Sequence, residues 1–256
     1  MSDFEQETGA RVRAMSGNGK LVAEAAAFTQ SSIAAQYSYN FRWLGRPIIQ
    51  YPQDMVAMQE LVWSTRPDLI IETGIAHGGS LVLSASLLAL LDLADATRDG
   101  TLLDPTKPRR RVLGVDIDIR QHNRAAIEAH PLAPRIEMIQ GSSTDPAIVA
   151  QVAGIASRYQ RVMLCLDSNH SHDHVLAELD AYAGLVTAGC YCIVFDTVVE
   201  DLPPGQYPDR PWDVGNNPKT AVTEFLKHNT DFEVDADFEA HLLITVAPGG
   251  YLRRKG

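Results

Sequence analysis

Cysteine is scarce. The 256 residues contain three, Cys165, Cys190 and Cys192, an odd count without C-x-x-C spacing, which argues against a disulfide framework and a structural zinc site. All three fall in predicted central strands and read as buried structural thiols. Positive charge is also short: 22 Lys and Arg stand against 32 Asp and Glu, a net charge of −10, with an isoelectric point near 5.2. Such a surface repels phosphates and anionic lipids, so neither nucleic acid nor membrane is an expected partner. The basic runs Lys107–Arg111 and Arg253–Lys255 are small and read as a solvated loop and tail. Long hydrophobic runs are missing. The longest, Leu81–Leu91, carries Ser84 and Ser86 and is too short to span a bilayer. The first 20 residues hold Asp3, Glu5 and Glu7 and no apolar stretch, so no secretory signal is visible and a reducing, cytoplasmic setting is expected.

What remains is an ordinary globular balance, 45% hydrophobic and 21% charged, of a length suited to one large domain. Residues 1–20 are polar and expected to fray. Leu21–Phe28 is Ala-rich and helical in pattern. Tyr37–Asp54 is rich in aromatics with no clean period, and reads as an ordered cover segment without regular structure. Met55–Ser64 has a helical pattern, with Trp63 expected in the core. From Asp68 short apolar runs alternate with helices. The strands are Leu69–Ile71, Arg111–Asp116, Ile136–Ile139, Arg161–Asp167, Tyr191–Asp196, Phe232–Val234 and Leu242–Val246. Near-continuous apolar strands alternating with helices predict a doubly wound α/β fold: a mostly parallel, seven-stranded sheet covered on both faces. The expected division is an N-terminal appendage over 1–64 and a catalytic domain over 65–256.

In such sheets ligands bind at the carboxyl ends of the strands. After the first strand comes Glu72-Thr73-Gly74, with Gly78, Gly79 and Ser80 following. Ala76 stands where the second glycine of G-x-G-x-x-G would be, so a nicotinamide fingerprint is absent. An acid followed by Gly74-x-x-x-Gly78 suits a cofactor without a pyrophosphate. Asp116, ending the second strand, can accept both hydroxyls of a ribose, whereas Asp118 suits a helix cap. Ser142 and Ser143 after the third strand can border an adenine, with capping of the next helix by Ser143 or Thr144 the structural alternative. Asp167 and Asp196 end adjacent strands and can share a hard divalent cation such as Mg²⁺. His170 and His172 lie beside them and can serve as a general base near neutral pH, His170 first and His172 second.

The blocks E-T-G-x-x-x-G-G-S, G-V-D-I-D, G-S-S and L-D-S-N-H-S-H-D-H-V, with the ending A-P-G-G-Y-L-R-R and the earlier W-L-G-R-P-I-I-Q-Y-P-Q-D, resemble the cephalosporin hydroxylase family, which includes the rhamnosyl O-methyltransferases. The similarity runs from about residue 37 to the end. It implies a Rossmann-like methyltransferase dependent on S-adenosylmethionine, with Mg²⁺ used by many members. Cofactor contacts are implied at Glu72, Gly74, Ser80, Asp116 and Ser143. Metal ligation is implied at Asp167, which also borders the cofactor, and at an acidic pair ending the fifth strand. Family members resemble V-E-D-T there, but this chain reads Val194-Phe195-Asp196-Thr197. Asn169, Thr197 or a water is left to fill the third metal position. Catechol-type methyltransferases resemble D-x-x-K after the fourth strand, with lysine as base; here that spacing gives Asp167 and His170.

The resemblance implies O-methylation of a hydroxyl on a rhamnose-like sugar or related secondary metabolite, as in antibiotic biosynthesis. The expected partner is a small glycoside or deoxysugar acceptor, and a homo-oligomer is expected. Tyr207, Asp209 and Trp212, on the long loop after the fifth strand, suit a sugar or polyketide acceptor. Tyr37, Phe41, Trp43 and Tyr51 suit a cofactor cover, a subunit contact or plain packing. The alternatives are a cephalosporin-type β-lactam methyltransferase or oxygenase, and a non-catalytic methyltransferase-like binding module. The H-S-H-D-H run does not have the spacing of an iron facial triad.

Overall fold

The computed structural model describes residues 3–256. Two helices come first, α1 (Asp3–Ser16) and α2 (Gly19–Ala34). Of the residues 1–20 expected to fray, 1–2 lie outside the described residues, and 3–16 and 19–20 are helical. Asp3 and Glu5 in the first turn of α1 and Arg13 in the last complement the helix dipole. The Asn18 side chain caps α2 by accepting from Leu21 N. The aromatic segment, expected to lack regular structure, holds a 3-10 turn at Tyr37–Asn40 and a hairpin of β1 (Phe41–Trp43) and β2 (Arg46–Ile48). Its link, Leu44-Gly45, has φ of +45° and +90°, the double left-handed turn whose twist matches paired strands. A helix follows, α3 (Pro52–Thr65), burying Met58, Leu61 and Val62. Trp63, expected in the core, falls off that face of the helical period and is 53% exposed, with the Arg66 guanidinium 5.7 Å from its ring.

The sheet is built from β3 (Leu69–Thr73), β4 (Arg111–Asp116), β5 (Ile136–Gln140), β6 (Val162–Leu166), β7 (Tyr191–Val194), β8 (Phe232–Val234) and β9 (Tyr251–Arg254). Its seven strands lie in the order β5-β4-β3-β6-β7-β9-β8. Only β9 runs against its neighbours. Alternate residues feed two cores, one per face: Ile70, Val112, Met163 and Ile193 point into one, and Ile71, Leu113, Leu164 and Val194 into the other. All three cysteines are buried in these layers. The covering helices are α4 (Gly79–Asp99), α5 (Gln121–Glu128), α6 (Pro146–Ala156), α7 (His172–Tyr182), α8 (Pro218–His228) and α9 (Ala236–Leu242). Among the described residues α4 alone has the length and apolarity to cross a membrane, but 61% of that stretch is buried inside the protein. It is the central core helix.

Leu242–Val246 is not the last strand. The Asp235 side chain caps α9 at Phe238 N, α9 runs to Leu242, and Leu243 turns left-handed at φ +59°. The β-branched run that follows gives its hydrogen bonds to a buried carboxylate, Asp54, instead of a neighbouring strand. The final strand is β9, reached through the Pro248–Gly250 turn. A Cβ on Gly250 would lie 2.1 Å from the Val194 carbonyl oxygen, so only glycine brings this turn against β7.

The chain passes outward from β3 through β4 and β5, then returns to β6 and β7. The reversal places a crevice at the carboxyl ends of β3 and β6. The hairpin and α3 pack over it: Trp43 Nε1 donates to Ser86 Oγ on α4 at 2.9 Å.

Candidate active site

At that crevice lies a cleft of about 530 Å³. Gly74 and Ser80 form one wall, Asp167, His170 and Asp196 the floor, and Gln50 and Tyr51 close it from the N-terminal side. The loop after β7 adds Tyr207, Asp209, Arg210 and Trp212.

The turn after β3 depends on glycine. Gly74 has φ +89°, and a Cβ there would sit 2.0 Å from the Asp167 carbonyl oxygen, so β3 and β6 turn against each other in backbone contact. Gly78 is left-handed, with Ile127 filling the space a side chain would need. Asp116 tethers this turn. Its Oδ2 accepts from Ile75 N at 2.7 Å and Ala76 N at 3.3 Å, and its Oδ1 from Asp118 N at 2.9 Å. Asp118 does not cap α5, whose N-cap is Arg120. The far side of the turn is held by two residues to which the sequence alone gives no role. Arg46 Nε donates to the His77 carbonyl at 3.0 Å, and Asn123 Nδ2 to the Ala76 carbonyl at 2.8 Å. Both lie far along the chain from the turn; Arg46 falls inside the W-L-G-R-P-I-I-Q-Y-P-Q-D block, and Asn123 in no motif.

Glu72 is buried and accepts a hydrogen bond from Ser80 Oγ. Burial pushes its carboxyl up to about 8, with the Ser80 bond opposing. It is therefore mostly protonated at neutral pH, and a cationic ligand beside it would draw it into the ionised form. Ser142 and Ser143 do not line the cleft. Ser142 Oγ pairs with Thr144 Oγ1 at 3.1 Å, and Ser143 Oγ lies 3.2 Å from His174 Nε2. Neither Ser143 nor Thr144 caps α6; Asp145 does, through Ala147 N. His174 also lies 3.1 Å from Ser168 Oγ, which donates to buried Glu178 at 2.7 Å.

On the floor, one ligand atom each from Asp167, His170 and Asp196 come within 4.8 Å of one another. His170 Nε2 is 3.2 Å from Asp196 Oδ2, and the imidazole meets the Trp212 ring edge-on at 4.8 Å between centroids. Asp196 holds φ +55°, unusual for a residue with a side chain. Asp167 is pushed well above the usual carboxylate range by burial, then by the charges of Asp196, Glu72 and Glu178. A cation between the two carboxylates relieves that repulsion, so this donor set fits a divalent ion. His172 is not brought to the cleft. It starts α7 with Nδ1 2.8 Å from Thr220 Oγ1, and its backbone N–H goes to Asn216.

The open third metal position is narrowed. Phe195 is in the core, 6% exposed. Asn169 Oδ1 accepts from Ser171 N at 2.9 Å, and buried Thr197 donates to the Pro248 carbonyl at 2.9 Å. Behind the site, Asp54 is 1% exposed. It accepts from Thr245 Oγ1, from Tyr251 OH at 2.7 Å and from Val246 N at 3.1 Å. Tyr37, Phe41 and Tyr51 form an edge-to-face aromatic stack, with Tyr37 centroids 5.0 and 5.5 Å from the other two.

Comparison with known proteins agrees with this architecture. The family model Rhamnosyl O-methyltransferase/CmcI matches residues 35–255. The chain is 31% identical over 205 residues to the rhamnosyl O-methyltransferase of Mycobacterium tuberculosis, covering 78% of this chain and 73% of that protein. It is 31% identical over 215 residues to the Mycobacterium leprae enzyme of the same name, covering 83% and 82%. Among solved structures it shares its fold with CmcI in an apo form, at TM-score 0.53, 18% identity and coverage of 85% and 77%. The Mg–SAM structure of CmcI gives TM-score 0.51 at 18% identity, covering 85% and 78%. The chain belongs to the rhamnosyl O-methyltransferase/CmcI family.

Proposed function

We propose that this S-adenosylmethionine-dependent O-methyltransferase methylates a hydroxyl of a rhamnose-like sugar carried on a natural product, with Mg²⁺ assistance. The observation that carries the proposal is the convergence of Asp167, His170 and Asp196 within 4.8 Å beside the glycine turn. The named sugar follows the family's curated members, which are rhamnosyl O-methyltransferases.

The Gly74 turn would let backbone approach the cofactor closely, and Glu72, held mostly protonated by burial, can ionise to meet a sulfonium or ammonium group. Asp116, by fixing Ile75 and Ala76, sets the turn's shape, and its remaining lone pairs could accept from ribose hydroxyls. Asp167 and Asp196 would hold the Mg²⁺, which supplies Lewis-acid polarisation of the acceptor hydroxyl. His170 takes the proton from that hydroxyl. Asp196, at 3.2 Å, and the Trp212 edge hold the imidazole in place for the transfer. The oxygen then attacks the sulfonium methyl carbon in line, the O–C bond forming as the C–S bond breaks and S-adenosylhomocysteine leaves, a reaction that depends mainly on alignment. Tyr207 and Trp212 give the sugar apolar faces to lie on, and Arg210, stacked 5.2 Å over Trp212, offers N–H donors to its hydroxyls.

The test is methyl transfer from S-adenosylmethionine to a rhamnosylated acceptor by wild type and His170→Ala across pH 6–9. A loss of roughly 10²–10⁴-fold is expected. Wild-type turnover by the variant over that range would remove His170 as the base.

A further inference from the structure

Gln50 lies between β2 and α3, 6% exposed, and borders the cleft next to Asp167. Its Nε2 is 3.4 Å from Asp167 Oδ2. The other end of the same amide, Oε1, is buried without a hydrogen-bond partner. Buried acceptors are nearly always satisfied, so an orphan at the edge of a site calls for a missing partner.

We propose that Gln50 supplies a protein oxygen to the divalent cation held by Asp167 and Asp196, an inference that rests on the metal half of the function proposed above. A carboxamide has nearly the same shape either way round, and a half-turn about its last bond exchanges acceptor and donor. With two bare carboxylates nearby, the N–H end faces Asp167. With a dication between the carboxylates, the carbonyl end is the favoured face, and the orphaned oxygen gains its partner. Hard divalent cations prefer six or more oxygens. Two carboxylates do not fill that shell, Asn169 and Thr197 spend their polar groups elsewhere, and Phe195 is buried in the core. The segment bearing Gln50 is also rigid. Tyr51, its neighbour, is 1% exposed with its hydroxyl 2.6 Å from Ser32 Oγ, and Asp54 fixes the turn of α3 that follows. A ligand so held is preorganised. The ion would tie the N-terminal cover to the sheet.

The experiment titrates the full chain with Mn²⁺, followed by the paramagnetic resonance signal of free Mn²⁺ and by calorimetry, in wild type, Gln50→Leu and Gln50→Glu. Thermal melts check folding, and binding of S-adenosylhomocysteine without metal checks the cofactor cleft. The expected result is a loss of roughly 10–100-fold in Mn²⁺ affinity for Gln50→Leu, with Gln50→Glu binding as tightly as wild type or tighter. Unchanged affinity in Gln50→Leu overturns the proposal. So does an equal loss in Gln50→Glu, which would mean that the amide N–H merely positions Asp167. If Gln50→Leu does not fold, the Gln50→Glu result decides alone. Absence of Mn²⁺ binding in wild type overturns this inference together with the metal half of the proposed function. Methyl transfer without metal would then separate that outcome from failure of the methyltransferase itself.

Discussion

Asp54 offers a measurement of how much a buried carboxylate costs this fold. Burial raises it from the ordinary 3.8 to about 6, although Thr245, Tyr251 and the Val246 N–H all donate to it. Desolvation therefore outweighs three hydrogen bonds. The folded state holds its proton to higher pH than the unfolded chain does, so folding is favoured by protonation and loses stability as pH rises from about 4 through 6. The full shift of about 2 pKa units corresponds to about 3 kcal/mol, and about 2 kcal/mol of it falls between pH 4 and pH 7. Asp54→Asn removes the titration while keeping the shape. The substitution has its own fixed cost, because an amide cannot accept at both ends and the Val246 N–H or its equivalent loses a partner, worth about 1–3 kcal/mol. That cost does not depend on pH. The quantity to measure is the stability difference between Asp54→Asn and wild type, from equilibrium urea unfolding at several pH values between 4 and 8. It should move in the variant's favour by about 2 kcal/mol between pH 4 and pH 7. A difference constant to within about 0.5 kcal/mol over that interval, well inside the expected shift, would refute the account of a desolvated, ionising Asp54.

Three further outcomes follow from the geometry. Gly74→Ala should abolish S-adenosylhomocysteine binding by calorimetry, since its Cβ meets the Asp167 backbone at 2.0 Å. Gly45→Ala, at φ +90° with open space around it, should retain binding and cost only about 1–2 kcal/mol of left-handed strain. Asp92→Ala should cost about 3–5 kcal/mol in urea unfolding, because it strips the carboxylate from buried Arg135, 2.5 Å away, and leaves Arg110 with Asp95 alone.

The sheet was legible in the sequence wherever one rule governed a segment. Ile70, Val112, Met163 and Ile193 are apolar because both faces of their strands are covered, and that pattern is local. Leu242–Val246 has the same appearance, but its fate was decided by Asp54, nearly two hundred residues away, which no periodicity can register. Trp63 misled for the opposite reason: residue type suggested the core, while helical phase put it outside. In the site, Gly74, Ser80, Asp167, His170 and Asp196 were readable because they follow strand ends, where the fold itself aims side chains at the cleft. His172 sits two residues past His170 and turns instead toward α8; spacing alone cannot tell the two apart. Arg46, Gln50 and Asp54 lie inside the W-L-G-R-P-I-I-Q-Y-P-Q-D block and Asn123 in no motif, but only their three-dimensional neighbours give them roles. For Asp54 a faint signal existed, a lone acid at the start of an otherwise apolar helical face.

Synthesis order gives the Asp54 contacts a second meaning. The three groups that satisfy this carboxylate arrive 191 to 197 residues after it. A ribosome has made the cover hairpin, α3 and most of the sheet before any of them exists. Until then burying Asp54 against the nascent sheet would leave it without those donors, at a cost of about 1–3 kcal/mol for each missing hydrogen bond. A chain that stalls before Thr245 therefore has every floor residue of the site but none of the groups that satisfy Asp54 behind the wall bearing Gln50 and Tyr51.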